Sequence, residues 1–79
     1  MKKLVEFLVQ SLLKDSSKFT VTEEVKGTEV YIKVEVDKND IGAVIGRGGN
    51  VINAIRTIAR TKATLENVKV YVDVVDKVS

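Results

Sequence analysis

The chain has 79 residues, with 13 Lys or Arg against 11 Asp or Glu and a formal net charge of +2. It contains no Cys, no His and no Pro. Those absences exclude disulfides and thiolate metal sites, and they remove the commonest zinc ligand and the commonest general base. The length predicts one domain over residues 1–79, held together by packed Val, Ile and Leu side chains alone.

From about Lys3 to Lys14, Leu4, Val5, Leu8 and Leu12 recur at helical spacing. Phe7, Val9 and Leu13 widen that apolar face, which predicts deep burial or a subunit contact. Met1-Lys2-Lys3 ahead of LVEFLVQSLL has the outline of a secretory leader. Glu6 and Gln10 interrupt the apolar run, however, and no small-residue cleavage site follows. No apolar run approaches the roughly 20 residues of a membrane-spanning helix. The expectation is a structural helix in a cytoplasmic protein, ended by Lys14-Asp15-Ser16-Ser17.

Phe19, Val21, Glu23 and Val25 then alternate with Thr20, Thr22 and Glu24, which is strand periodicity. Lys26-Gly27-Thr28 supplies a turn. Val30, Ile32, Val34 and Val36 alternate with Tyr31, Lys33 and Glu35 in a second strand, antiparallel to the first. Asp37-Lys38-Asn39-Asp40 breaks the pattern, and Asn39 or Asp40 suits the N-cap of a short helix through about Ile45. Glycines interrupt that helix. A longer one begins near Gly49 or Asn50, with Ile52, Ile55, Ile58 and Ala59 on one face and Arg56 and Arg60 on another. Val68, Val70, Val72 and Val74 alternate with Lys69, Tyr71 and Asp73 in a third strand.

The predicted order is α-β-β-α-α-β. Two helices link the second and third strands, which favours a parallel, right-handed crossover. The fold class is therefore α+β: a two-layer sandwich, its three-stranded mixed sheet covered on one face by three helices. The other face is left to solvent and carries Tyr31, Lys33, Glu35, Lys69, Tyr71 and Asp73. Tyr31 and Tyr71 fit a cross-strand pair there, or a platform on which bases stack.

Three of the five glycines fall within IGRGG, Ile45 to Gly49. Between Asp40 and Glu66 there is no acidic residue, while Arg47, Arg56, Arg60 and Lys62 all lie inside that interval. A basic field at that place suits a polyanion, although a solvated helix face has the same look. Small residues feeding a helix N-terminus let a phosphate approach the backbone N–H groups. A Walker loop is excluded because no Lys-Ser or Lys-Thr follows a glycine. A dinucleotide fingerprint is excluded because Val51 stands where the third glycine belongs and a helix precedes. The pattern I-G-x-x-G-x-x-I is met by Ile45, Gly46, Gly49 and Ile52.

That pattern, set in VDKNDIGAVIGRGGNVINAIRTIARTKA, resembles the GXXG loop of KH domains, which clamps about four nucleotides of a single strand. The element order is similar to that of the bacterial type II KH domain, and nearly the whole chain resembles the small, single-domain KhpA-type RNA-binding proteins. The resemblance implies a module that holds single-stranded RNA and serves post-transcriptional regulation or RNA chaperoning. It implies no cofactor, no metal, no small-molecule substrate and no membrane. Gly46, Arg47, Gly48 and Gly49 would meet phosphates, with Gly48 where relatives often carry a second polar residue. Ile41, Val44, Ile45 and Ile52, with part of the second strand, would floor the groove. From spacing alone, Ile52 and Ile55 read as core, and Ile41 and Val44 fit core or groove equally. Arg56 and Arg60 are phosphate candidates or merely solvated.

A lone module of this size binds weakly, so useful affinity calls for a homodimer or a partner. The resemblance implies the same: self-association, association with a second KH-containing protein, or both. The competing expectation is a protein-interaction adaptor with a vestigial loop. Catalysis is not expected. Chemistry would fall to Asp, Glu, Lys or Tyr, and Asp37 and Asp40 are explained by a turn and a cap.

Overall fold

The computed structural model describes residues 1–14 and 17–77. Six regular elements follow in order: α1 (Lys2–Leu12), β1 (Phe19–Lys26), β2 (Glu29–Val36), α2 (Lys38–Ile45), α3 (Asn50–Leu65) and β3 (Lys69–Asp76). The sheet order is β1-β2-β3, with β1 antiparallel and β3 parallel to the central β2. This is the predicted α-β-β-α-α-β sandwich with a mixed sheet.

Alternation in β2 and β3 sends Val30, Ile32, Val34, Val36, Val70 and Val72 into the interior, where all are buried. They are all β-branched, which suits a pleated surface packed on one side. Val5 and Val9 of α1, Val44 of α2, and Ile52, Ile55, Ala59 and Ala63 of α3 close over them. The alanines sit in the C-terminal half of α3, where their small side chains let the helix lie close to β3. Among the described residues no polar or charged side chain is buried.

The ends of the elements differ from expectation in instructive ways. The core stripe of α1 is Val5–Val9, whereas Phe7 stays 70% exposed and Leu12 is also exposed. The helix stops at Leu12, and Leu13 is already extended; the Asp15 and Ser16 of the predicted stop lie outside the described residues. Glu23 meets the N-terminus of α1 instead of entering the core. Its Oε2 accepts from the Lys2 N–H at 3.1 Å and lies 3.8 Å from the terminal amine, a placement that the helix dipole favours. Val25 is exposed too, so β1 buries only Val21 along its length.

The N-cap of α2 is Asp37, with no capping bond from its side chain, rather than Asn39 or Asp40. Strand β2 runs to Val36, which leaves one residue for the turn into the helix. Asp40 donates its N–H to the Asp37 carbonyl from the first turn. Helix α3 runs from Asn50 to Leu65 and is closed at Asn67, which holds φ at +58°. Val68 N–H bonds Ala63 O at 2.9 Å and Asn67 N–H bonds Thr64 O at 3.2 Å. This double closure around a left-handed residue satisfies the last carbonyls of the helix.

On the open sheet face Tyr31 and Tyr71, partners in the parallel register, stack at 5.2 Å between ring centroids and 18° between planes. The Tyr31 hydroxyl donates to Glu29 Oε1 at 3.2 Å. Partial desolvation, followed by that bond and the Glu29 charge, raises the Tyr31 pKa above its ordinary value, so the phenol remains a donor at neutral pH. The two rings thus form the predicted cross-strand pair.

Burial decides the stability test. Ile32→Ala, in the central strand, is expected to cost about 2–5 kcal/mol in urea unfolding. Phe7→Ala should change stability by less than about 0.5 kcal/mol, as an exposed site allows.

Candidate nucleic-acid interface

The corner between α2 and α3 is made by three glycines with three separate jobs. Gly46 closes α2 by donating its N–H to Gly42 O at 2.8 Å, then turns the chain at φ +77°, ψ 171°. A side chain there would strike the Val51 side chain and lie 2.8 Å from the Val51 backbone nitrogen. The position therefore needs glycine for conformation and for space. Gly48 (φ +61°, ψ 19°) and Gly49 (φ +81°, ψ 10°) are consecutive left-handed residues that pass the chain through a single 3-10 turn, Arg47–Gly49, into α3.

The loop's own hydrogen bonds take only some of its amides. Gly49 N–H bonds Gly46 O at 3.2 Å and Asn50 N–H bonds Arg47 O. Among the described residues, the amides of Arg47 and Gly48 donate to no carbonyl outside the regular helices. Nothing lies within 4 Å of where a Gly48 Cβ would stand, so the tip faces solvent. Arg47 is exposed beside it. The result is an exposed tip of small residues, a cation and the positive end of a 16-residue helix at one point.

From that point α3 runs antiparallel to β3. Ala63 is bonded to Val68, and the Arg56 Nε donates to the Val72 carbonyl at 3.0 Å. Asn50 lies six residues before Arg56, roughly 9 Å along the helix axis, or about three residues of strand. The loop therefore sits level with the C-terminal part of β3. Arg56 and Arg60, four apart, follow it along the strand. Two adjoining hollows of about 220 and 300 Å³ open there. The first is lined by Arg56, Arg60, Val70, Tyr71, Val72 and Asp73. The second continues along Ala63, Thr64, Val68 and Lys69. None of the ion pairs found among the described residues involves Arg47, Arg56 or Arg60.

The structure thus gathers Gly46, Arg47, Gly48, Gly49, Arg56 and Arg60 along one path. Ile41 and Ile45 of α2 are half-buried and keep some surface. Val44 is 0% and Ile52 4% exposed, so both are core residues that hold the corner from beneath. The second strand is central, and its peptide groups are taken by ladders on both sides. The strand that borders the path is β3, at the sheet edge. Sequence reasoning passed over that edge and the acidic Asp73 beside it. The signal was present: a parallel crossover between the second and third strands leaves the third with a neighbour on one side only.

A helical corner with this glycine spacing, set in an α-β-β-α-α-β sandwich on a mixed sheet, defines a KH domain of the type II order. The chain belongs to the KhpA/KhpB KH-domain family, whose model matches residues 2–74. RNA-binding protein KhpA of Clostridium perfringens is 35% identical over 75 residues, covering 95% of this chain and 100% of that protein. RNA-binding protein KhpA of Chlamydia trachomatis is 36% identical over 78 residues, covering 98% of this chain and 99% of that protein. Among solved structures, Era of Aquifex aeolicus superposes with a TM-score of 0.61 at 18% identity, covering 95% of this chain and 29% of Era. Era in complex with a segment of 16S ribosomal RNA gives 0.63 at 23% identity, covering 95% of this chain and 30% of Era. The likeness to Era is one of fold, and this chain spans less than a third of it. The KhpA relatives are named for binding RNA and not for a reaction, and the KH domain is a binding fold. Among the described residues no cluster of acidic, His or Cys side chains is arranged to hold a metal, and no helix is long and apolar enough to cross a membrane.

The three glycines are not equivalent, and stability measurements should rank them. Gly48→Ala meets open space and is expected to cost about 1–2 kcal/mol for its left-handed backbone. Gly46→Ala adds a collision with Val51 and should cost clearly more, seen as a lower midpoint in thermal or urea unfolding.

Proposed function

We propose that this protein holds single-stranded RNA along the path from the Arg47–Gly48 tip to Arg60, without catalysis, and that it does so as a dimer in the cytoplasm. The observation that carries the reading is the exposed Arg47–Gly48 tip at the start of α3 together with a hollow along that helix lined by Arg56 and Arg60, neither of which joins an ion pair found among the described residues. Phosphates would be met at the loop by Arg47 and the amides of Arg47 and Gly48, and further along by Arg56 and Arg60. Bases would turn toward the half-buried aliphatic surface of Ile41 and Ile45 and toward the free edge of β3. The names of the KhpA relatives support RNA over single-stranded DNA. A role in post-transcriptional regulation or RNA chaperoning is the service such a sequence-tolerant grip would suit.

Three arginines give a modest grip, which is why a second subunit belongs to the proposal. Helix α3 offers a surface for it. Ala54, Ile58, Thr61 and Leu65 are all exposed, Ile58 at 44% and Leu65 at 80%. They recur at i, i+4, i+7 and i+11, the spacing of a helix–helix seam. A second copy of the chain, or another KH-containing protein with the same helix, would cover that stripe and leave the arginine face free. Two linked grips then act on one RNA through effective concentration.

Arg47→Asp combined with Gly48→Asp tests the loop. Gly48 faces open space and Asp tolerates the left-handed region, so the circular dichroism should stay native. RNA affinity in a gel-shift or filter assay should fall below detection. Unchanged affinity, with self-association intact, would instead favour a protein-interaction adaptor with a vestigial loop. For the wild type, log K against log salt should slope at about −2, which is three single-strand phosphate contacts at −0.7 each. Ile58→Asp is expected to give a monomer by light scattering. It should keep its affinity for a short oligonucleotide and lose tenfold or more on an RNA long enough to engage two subunits.

A further inference from the structure

The free edge of β3 is not a plain row of peptide groups. Lys69 N–H bonds Thr28 O and Lys77 N–H bonds Val36 O, each at 2.8 Å. The odd-numbered residues of β3 therefore point their N–H and C=O groups at β2. Those of Val70, Val72 and Val74 point outward. At Val72 the outward carbonyl is already occupied, because Arg56 donates its Nε to it at 3.0 Å. The bond consumes one of the five guanidinium donors and fixes the plane of the fork. The four Nη hydrogens remain, in a hollow of about 220 Å³ that opens on the same peptide.

We infer that Arg56 sets base preference: by covering the Val72 carbonyl and presenting its Nη donors in its place, it makes this position favour bases whose edges offer acceptors. The inference rests on the RNA-binding reading above and adds to it a chemical class of base. A bare strand edge offers one donor and one acceptor per outward residue, so it serves an amino-bearing base as readily as any other. With Arg56 latched, the Val72 position shows the Val72 N–H and the guanidinium as donors, against one remaining lone pair of the carbonyl, so donors dominate. On the major-groove edge uracil presents O4 and guanine O6 and N7, acceptors alone. Cytosine and adenine each bring an exocyclic amino group to that edge, and it needs an acceptor. To pair that group at Val72 they must crowd against Arg56 at the one carbonyl and leave its donors unmatched. Charge alone does not produce this effect, since a lysine has no planar fork to lock against the carbonyl.

Oligo(U) and oligo(C) of equal length isolate the effect, because they share a backbone and differ on the base edge. Fluorescence anisotropy of the wild-type protein should show oligo(U) bound about tenfold tighter than oligo(C). Arg56→Met, which keeps an apolar stem but no donors, should remove the preference by weakening oligo(U) and strengthening oligo(C). Arg56→Lys should keep the salt slope of the wild type and still lose the preference. Both variants are checked for native circular dichroism, and either one, if folded, decides the matter. Equal binding of the two oligonucleotides by wild type, or a preference that survives both substitutions, overturns the inference and leaves loop-dependent RNA binding standing. Failure of the wild type to bind either oligonucleotide, or binding indifferent to Arg47→Asp with Gly48→Asp, overturns the RNA reading itself.

Discussion

The backbone of Gly46 runs so close to Val51 that no side chain fits between them, and the arrangement of the helical layer depends on that contact. It lets α2 stop and α3 start within four residues, at an angle that keeps both helices on the sheet. Val44 just before the corner and Ile52 just after it then drop into the same core, so the loop is braced from below by buried aliphatic side chains. The two positions that follow Gly46 are left with nothing to pack against. A rigid base under an exposed tip is the condition for a preorganised anion site, since the donors lose little freedom when a phosphate arrives.

The same crossover fixes what the loop faces. Because β3 returns parallel to β2, it takes the sheet edge, and α3 must run back along it. The charges become local by this route. A net charge of +2 over 79 residues attracts no polyanion in particular. Arg47 in the loop, with Arg56 and Arg60 on one side of α3, all outside the ion pairs found among the described residues, make a field that is locally basic. The acidic side chains are mostly elsewhere: Glu23 on the α1 terminus, Glu24 paired to Lys26, Glu29 under the two tyrosines, Glu66 paired to Lys62. Asp73 differs from these in lining the hollow beside Arg56 and Arg60.

Much of this was legible in the sequence because it is written in short-range patterns. The alternation of Val30 to Val36 and of Val68 to Val74 specifies both the strands and their buried face, and two intervening helices specify the parallel return. The glycine corner was legible because few other roles need Gly at 46 and 49 between apolar helices. What was missed depends on where a tertiary neighbour stops. Nothing in LVEFLVQSLL says that α1 covers only part of β1, so Phe7 fitted deep burial or a subunit contact and Val25 fitted the apolar side of a strand, though both are exposed. Val44 fitted core or groove until the position of β3 decided for core. The edge itself belongs to backbone atoms, which carry no residue-type signal, and it becomes visible only when strand order is worked through to peptide orientation.

Helix α3 shows how one segment reconciles three demands. At about 100° per residue, Ile52, Ile55, Ala59 and Ala63 share one face and lie in the core. Arg56 and Arg60 fall roughly 75° to one side of that face, which brings them over the edge of β3. Ala54, Ile58, Thr61 and Leu65 fall on the far side, away from the sheet. Moving any of the three sets by one residue would rotate it through 100° and set arginine against valine or isoleucine against water. The three faces are therefore bound to a single register, and Gly49 fixes that register by starting the helix. A loop that sets the phase of the helix behind it determines more than its own conformation. It decides which side chains meet the β3 edge and which are left facing solvent, so one geometric choice at the glycines sets both outer faces of the helix.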